Sequence, residues 1–298
     1  VFDAGSRRIY VSHGTDFKVL NADTDAVIGT VGGFKRDHGV AMVPDLGRGY
    51  ITDGDAGEVV VFDLKTFKAT GRIKADQDAD SILYDTVSKH VFTFNGDPGH
   101  STVIDPAKGT VVATLDSGGK PEQAVADGKG TIYANLEDKS LVVAIDSRTL
   151  KIKARWPVAP AAHPVSIAMD RQTRRLFIGS REPAMMVMMD ADSGKIIGPG
   201  FPIGGRVDTN VFDPATRMAA CSTGDGTVHI FHEDSPEKFS EVQTVKAEYG
   251  AKTMALDPKT HNLIVDTADF ETVASPAGKK GPQRRAKTGS LHLLIYGR

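Results

Sequence analysis

The chain has one cysteine in 298 residues, Cys221, which excludes an internal disulfide and a zinc site built on clustered cysteines. No apolar run approaches the ~20 residues that a membrane-crossing helix needs, so no membrane span is expected. No stretch sustains an apolar spacing near 3.6 residues, which argues against a helical solenoid or bundle. Neither sign of charge dominates: 36 basic against 38 acidic residues leave a formal charge of −2, without the footprint of a general nucleic-acid or membrane binder. With 40% hydrophobic and 25% charged residues, the composition is that of a folded protein with a sizeable core. The chain opens on Val1 rather than methionine, as a processed or trimmed protein would.

What is present is a repeat. The stretch "RDHGVAMVPD", Arg36 to Asp45, sets a histidine before a short apolar run that ends in Pro-Asp, and the phrase returns six more times. Its closing anchors fall at Asp3, Pro44, Asp85, Asp127, Asp170, Asp213 and Asp257, at steps of 41, 41, 42, 43, 43 and 44 residues. After each anchor come a polar turn and a β-rich run such as "RIYVSHG", "HVFTFNG" or "RLFIGS". A third run ends in a polar turn, as in "VVVFDLKT" or "LVVAIDSRT", and a fourth, more amphipathic run leads to the next unit. Four strands in about 40–45 residues make one propeller blade. Residues 1–298 are therefore read as a single all-β domain, a seven-bladed β-propeller. Ring closure is expected because an open array would leave two long strand edges unpaired.

The ends of the repeat are irregular. From Asp257 to Tyr296 is 39 residues, against 19 from Pro44 to Asp63, so about twenty residues are inserted in the last blade, spanning 269–289. The last blade then lacks a fourth strand, and the first lacks most of its innermost one. Closure calls for an outer strand from upstream of Val1, or for a blade that stays three-stranded.

Tyr10-Val11-Ser12-His13 and Tyr50-Ile51-Thr52-Asp53 resemble the signature of the bacterial YVTN-repeat, YncE-like β-propellers, as do "FDLKT", "KPEQAVADGKG" and "GAKTMALDPKTH". The resemblance runs over essentially the whole chain. It implies a seven-bladed propeller exported to the periplasm or cell surface, with a shape shared with quinoprotein dehydrogenases and with relatives linked to single-stranded DNA or metals. A quinone is not expected, because relatives that hold one stack it on tryptophan and Trp156 is the only tryptophan here.

Function in a propeller is expected where the innermost strands begin, since the loops leading into them share one face with the loops after the second strands. Counting five residues back from the anchors gives Gly39, Asp80, Glu122, Val165, Asp208 and Lys252, with His38, His163 and Arg206 slightly further back. The loops after the second strands add His13 and Asp16, Asp53 and Asp55, Asn95 and Asp97 with His100, Glu137 and Asp138, Arg181 with Glu182, and Asp225. The expected ligand-binding rim is His13, His38, Asp80, Glu122, His163, Arg206, Asp208 and Lys252. Its metal-binding version uses His13, His38, Asp80, Glu122 and Asp208, because imidazole and carboxylate oxygens suit a divalent cation. The alternative is a solvated channel mouth whose Asp and Asn serve turns.

The functional expectation is a non-enzymatic module, monomeric, that binds a small ligand, a metal or a protein partner at this mouth. The rival is a lactonase-like, metal-dependent lyase or hydrolase on the same residues. A second rival is single-stranded DNA binding aided by Lys279, Lys280, Arg284, Arg285 and Lys287 of the insertion, although no aromatic residue interleaves these charges to stack bases. Four methionines in "PAMMVMMDAD" invite a Cu(I) reading, but strand alternation divides them between two faces, where packing is their expected role.

Overall fold

In the computed structural model, which describes residues 1–273 and 283–297, the chain forms six consecutive four-stranded antiparallel sheets and a seventh sheet of three strands. The sheets are the blades of a seven-bladed β-propeller. Within each blade the strands follow in chain order, so every blade is a meander. The innermost strands are Phe2–Asp3, Asp37–Val43, Ala79–Asp85, Pro121–Ala126, Ala162–Asp170, Val207–Asp213 and Met254–Asp257. Each ends at its anchor or one residue before it. In blade 1 the short innermost strand is lengthened by Val1, whose main chain exchanges hydrogen bonds of 2.8 and 2.9 Å with Tyr10.

The sequence pattern decides which strand goes where. The second strands Arg48–Asp53, His90–Asn95 and Thr131–Leu136 are buried almost throughout, because neighbouring blades cover both faces of the sheet. The fourth strand Lys151–Pro157 alternates exposed and half-buried residues, as a strand on the outer edge should. The core consequently lies between blades. Met186 and Met188 join Phe177, Val207 and Phe231 between blades 5 and 6, whereas Val187 and Met189 join Tyr133 and Val142 between blades 4 and 5. Trp156 also packs across a blade boundary, stacked on Tyr133 with ring centroids 6.2 Å apart. Its indole lies on Gly194 of blade 5, where an added Cβ would come within 2.0 Å of the ring.

The anchor aspartates are turn caps. Asp127, Asp170, Asp213 and Asp257 each accept a backbone N–H from two residues further on, at 2.7–3.1 Å. Four residues past Asp3, Asp85, Asp170, Asp213 and Asp257 stands a residue in the left-handed conformation, and three of these reach back to the preceding blade's anchor. Arg174 meets Asp127 at 3.3 Å, His261 meets Asp213 at 2.8 Å, and Arg7 grips Asp257 at 2.6 and 2.9 Å. The last pair joins blade 1 to blade 7 and so fastens the ring.

Arg7 holds the Asp257 carboxyl down at about 2. A depressed folded value means that the stability is present above the ordinary carboxylate range and is lost as pH falls towards 2. Asp257→Asn is expected to cost about 2 kcal/mol at neutral pH, the scale of charge-assisted hydrogen bonds. The deficit should shrink as urea unfolding is repeated at falling pH; an equal deficit at all pH values would assign Asp257 to packing alone.

The insertion begins and ends as a hairpin. Phe270–Val273 pairs with Gln283–Ala286, and the Lys287 N–H closes its base on the Asp269 carbonyl at 2.8 Å. Lys279 and Lys280 lie outside the described residues.

Candidate functional site

In blades 2 to 6 the position five residues before the anchor has a structural meaning: it is a β-bulge. In blade 2 the pairing steps from Asp37↔Asp53 to Val40↔Ile51, leaving one extra residue on the innermost strand at His38-Gly39. The same irregularity falls at Asp80 in blade 3, at Glu122-Gln123 in blade 4, at Val165 in blade 5 and at Asp208 in blade 6. A bulge bends the strand and re-aims its side chain. All of these residues line one cavity of about 660 Å³ at the channel mouth. Lys252, just before Met254–Asp257, joins them from blade 7.

The loops after the second strands hold this register. Asp53 accepts the N–H groups of Lys35 and Arg36 at 2.9 and 3.0 Å, Asp138 that of Lys120 at 2.7 Å, and Asp225 that of Gly205 at 2.8 Å. In each case the loop acid clamps the segment that leads into the innermost strand of its own blade. These aspartates are spent on backbone, and the bulged residues are what face the cavity.

Charges of both signs alternate round the mouth. Lys252 Nζ lies 2.8 Å from Asp208 Oδ1. His38 Nδ1 lies 3.3 Å from Asp80 Oδ1, near enough to attract but misaligned for a hydrogen bond. Arg36 meets Asp78 at 3.2 Å, and Arg181 is held by Glu137. Gln123 Nε2 donates to the Asp208 carbonyl at 2.8 Å, reaching from blade 4 to blade 6 over Val165.

Glu122 is the exception. Among the described residues no cationic nitrogen pairs with it; its neighbours include the carboxylates of Glu137 and Asp80. Burial above all, then Glu137, pushes its carboxyl up to about 8, although Arg181 pulls the other way. Burial likewise raises Asp266, also on the cavity wall, to about 6, and raises Asp80.

Of the expected rim, His38, Asp80, Glu122, Asp208 and Lys252 share the cavity. His13 does not line it: its Nδ1 lies 3.1 Å from Asp16, beyond the end of a second strand rather than on a bulge. His163 faces Glu182 at 3.9 Å, because the bulged residue of its blade is Val165. Arg206 lines a smaller adjoining cavity of about 400 Å³ with Arg181, Val207, Asp208 and Lys252. Among the described residues, no three of His, Cys, Asp and Glu are grouped as metal ligands. The serines near the two histidines are engaged elsewhere, Ser12 Oγ with Asp37 at 2.8 Å and Ser166 Oγ with Asn210 at 2.9 Å.

The sequence reading reached Arg181 through the loops after the second strands and missed Arg36, Asp266 and Tyr249. Arg36 precedes the bulge, and Asp266 sits inside a strand that reads as core. Tyr249 carries the guanidinium of Arg206 at 5.2 Å and that of Arg284, from the insertion, at 4.2 Å from its ring centroid. It thus supplies an aromatic partner to the basic arm from a separate loop. Arg285 is engaged by Glu271 at 2.8 Å, and Lys287 is exposed at the hairpin base.

No family model and no curated protein matches the sequence. Solved structures do match in shape. Hydrazine synthase of Kuenenia stuttgartiensis aligns with a TM-score of 0.78 at 13% identity, over 89% of this chain and 90% of that one. A chain of the mitotic checkpoint complex aligns with a TM-score of 0.77 at 15% identity, over 88% and 84%. At such identities the likeness is one of fold: this chain is similar to these propellers in architecture.

Proposed function

We propose that the chain is a non-enzymatic binding module whose channel mouth takes a small ligand bearing a cationic group, with Glu122 as that group's partner. The observation that carries the reading is the Glu122 carboxyl on the wall of the 660 Å³ cavity, without a cationic partner among the described residues. The side chains lining that cavity include four carboxyl groups, Asp80, Glu122, Asp208 and Asp266, against three permanent cations, Arg36, Arg181 and Lys252. When Glu122 ionises, arrival of one positive charge balances this set. Apolar wall residues such as Ile82, Val165 and Ile167 suit the carbon skeleton of an organic cation.

Membership of the YVTN-repeat propellers and export to the periplasm or cell surface belong to the same proposal. The phrases round Tyr10 and Tyr50 support it, together with seven blades in register. The structural neighbours are named as an enzyme and as a protein assembly, so fold alone does not choose between roles and the site has to.

The test is calorimetric titration with n-butylamine and isobutylamine, each a monocation, between pH 6 and 9. Saturable binding is expected, with a proton released on binding and an affinity that rises towards pH 8 as Glu122 ionises; Glu122→Gln abolishes the binding. Absence of saturable binding of both amines at pH 8.5 would refute the proposal.

A further inference from the structure

The described part of the insertion is fastened to the propeller at Tyr249-Gly250. Phe270, in its first strand, lies on Gly250, where a Cβ would come within 2.4 Å of the ring. The same ring meets Tyr249 edge-on at 5.2 Å and 89°. This docking carries the second hairpin strand over the blade 6 to blade 7 loop and sets Arg284 on Tyr249. From the other side of the sequence comes Arg206, held in the left-handed conformation at φ 64° and donating from Nη1 to the Tyr249 hydroxyl at 2.5 Å. Two guanidinium groups thereby share one aromatic ring.

Among the described residues neither Arg206 nor Arg284 forms an ion pair, whereas Arg181, Lys252 and Arg285 each do. Arg206 also lines the 400 Å³ cavity, whose charged walls are Arg181, Arg206 and Lys252 against Asp208 alone. Three cations face one carboxylate there. A guanidinium without a carboxylate partner, in Arg206 on the wall of that cavity and in Arg284 on the same tyrosine, suits an oxyanion, because its N–H donors can reach two of the ligand's oxygens in parallel.

We propose that the insertion hairpin and the propeller rim together form an oxyanion-binding site, with Arg206 and Arg284 as the gripping residues and Tyr249 as the residue that both contact. The ligand is a phosphate- or carboxylate-bearing molecule. Arg181, Asp208 and Lys252 line both cavities, but the gripping residues and the ligand charge differ from those of the Glu122 subsite, so either proposal can fail without the other. The insertion, an addition to one blade of seven, thereby acquires a role: it brings the second guanidinium.

The experiment is titration of the intact chain at low ionic strength with inorganic pyrophosphate and, separately, with citrate, which separates phosphate from carboxylate recognition. Saturable binding of either anion is expected. Arg206→Ala and Arg284→Ala should each weaken it at least tenfold, as loss of a charge-assisted contact does. Arg285→Ala, which removes an exposed arginine already engaged by Glu271, should change it less than twofold. Because Arg284 and Arg285 are surface residues of the hairpin, folding of these variants is not at issue, and circular dichroism checks it. No saturable binding of either anion, or an equal loss in Arg285→Ala and Arg284→Ala, overturns the proposal: the second result would mean diffuse attraction to a basic arm.

Discussion

Phe177→Ala is expected to lower the free energy of unfolding by about 3–5 kcal/mol, the range for deleting a fully buried aromatic ring. Phe177 has no solvent exposure and sits where blades 5 and 6 meet, stacked on Phe212 at 5.2 Å and meeting Phe239 edge-on at 6.1 Å. Val165, Met186 and Phe231 close round it in the same cluster. Neighbouring blades touch mainly through such side chains, since hydrogen-bonded ladders run within blades and not between them. The cavity left by the ring cannot be refilled without shifting a whole sheet. Urea unfolding of the variant is the measurement, with Val112→Ala as control: Val112 lies on an outermost strand at 45% exposure and should change stability by less than about 0.5 kcal/mol. A loss under about 1 kcal/mol for Phe177→Ala would mean that the blades are held by something other than this packing.

Glu122→Gln is expected to stabilise the protein in alkaline solution while removing its cation subsite. A glutamate in an unfolded chain ionises near 4.5, and in the cavity the same carboxyl keeps its proton to about 8. Below 4.5 both states are protonated and the group contributes nothing. Between the two values the unfolded state loses its proton while the fold retains one, so stability falls as pH rises, and it levels off above 8. Glutamine imitates the protonated acid and is spared that fall. The variant should therefore match the wild type at pH 4 and exceed it at pH 9 by about 2 kcal/mol or more. Glu233, raised to about 7, and Asp266, raised to about 6, bend both curves the same way, so the difference between the two proteins isolates Glu122. Parallel curves would show that Glu122 ionises freely in the fold, and the proposed cation subsite would lose its basis. The titration with amines and this unfolding experiment read the same carboxyl by independent routes.

The anchors at Asp3 to Asp257 carried most of the architecture, because a turn cap and a strand period are local properties that recur wherever the local chain recurs. Counting back from them reached the bulged positions His38-Gly39, Asp80, Glu122, Val165 and Asp208, since a bulge at a constant distance from a turn is also a matter of local register. Direction and partnership were another matter. His13 has the same chemistry as His38 but stands past a strand end, so nothing turns it towards the channel. Gln123 meets the Asp208 carbonyl across 85 residues, Lys252 meets Asp208 across 44, and Arg206 meets Tyr249 across 43. Such contacts depend on the curvature of a closed ring and on the fit of one blade against the next. No period in a linear chain encodes them, so the tertiary structure alone determines which of the legible charges are neutralised and which, like Glu122 and Arg284, have no partner of opposite charge among the described residues.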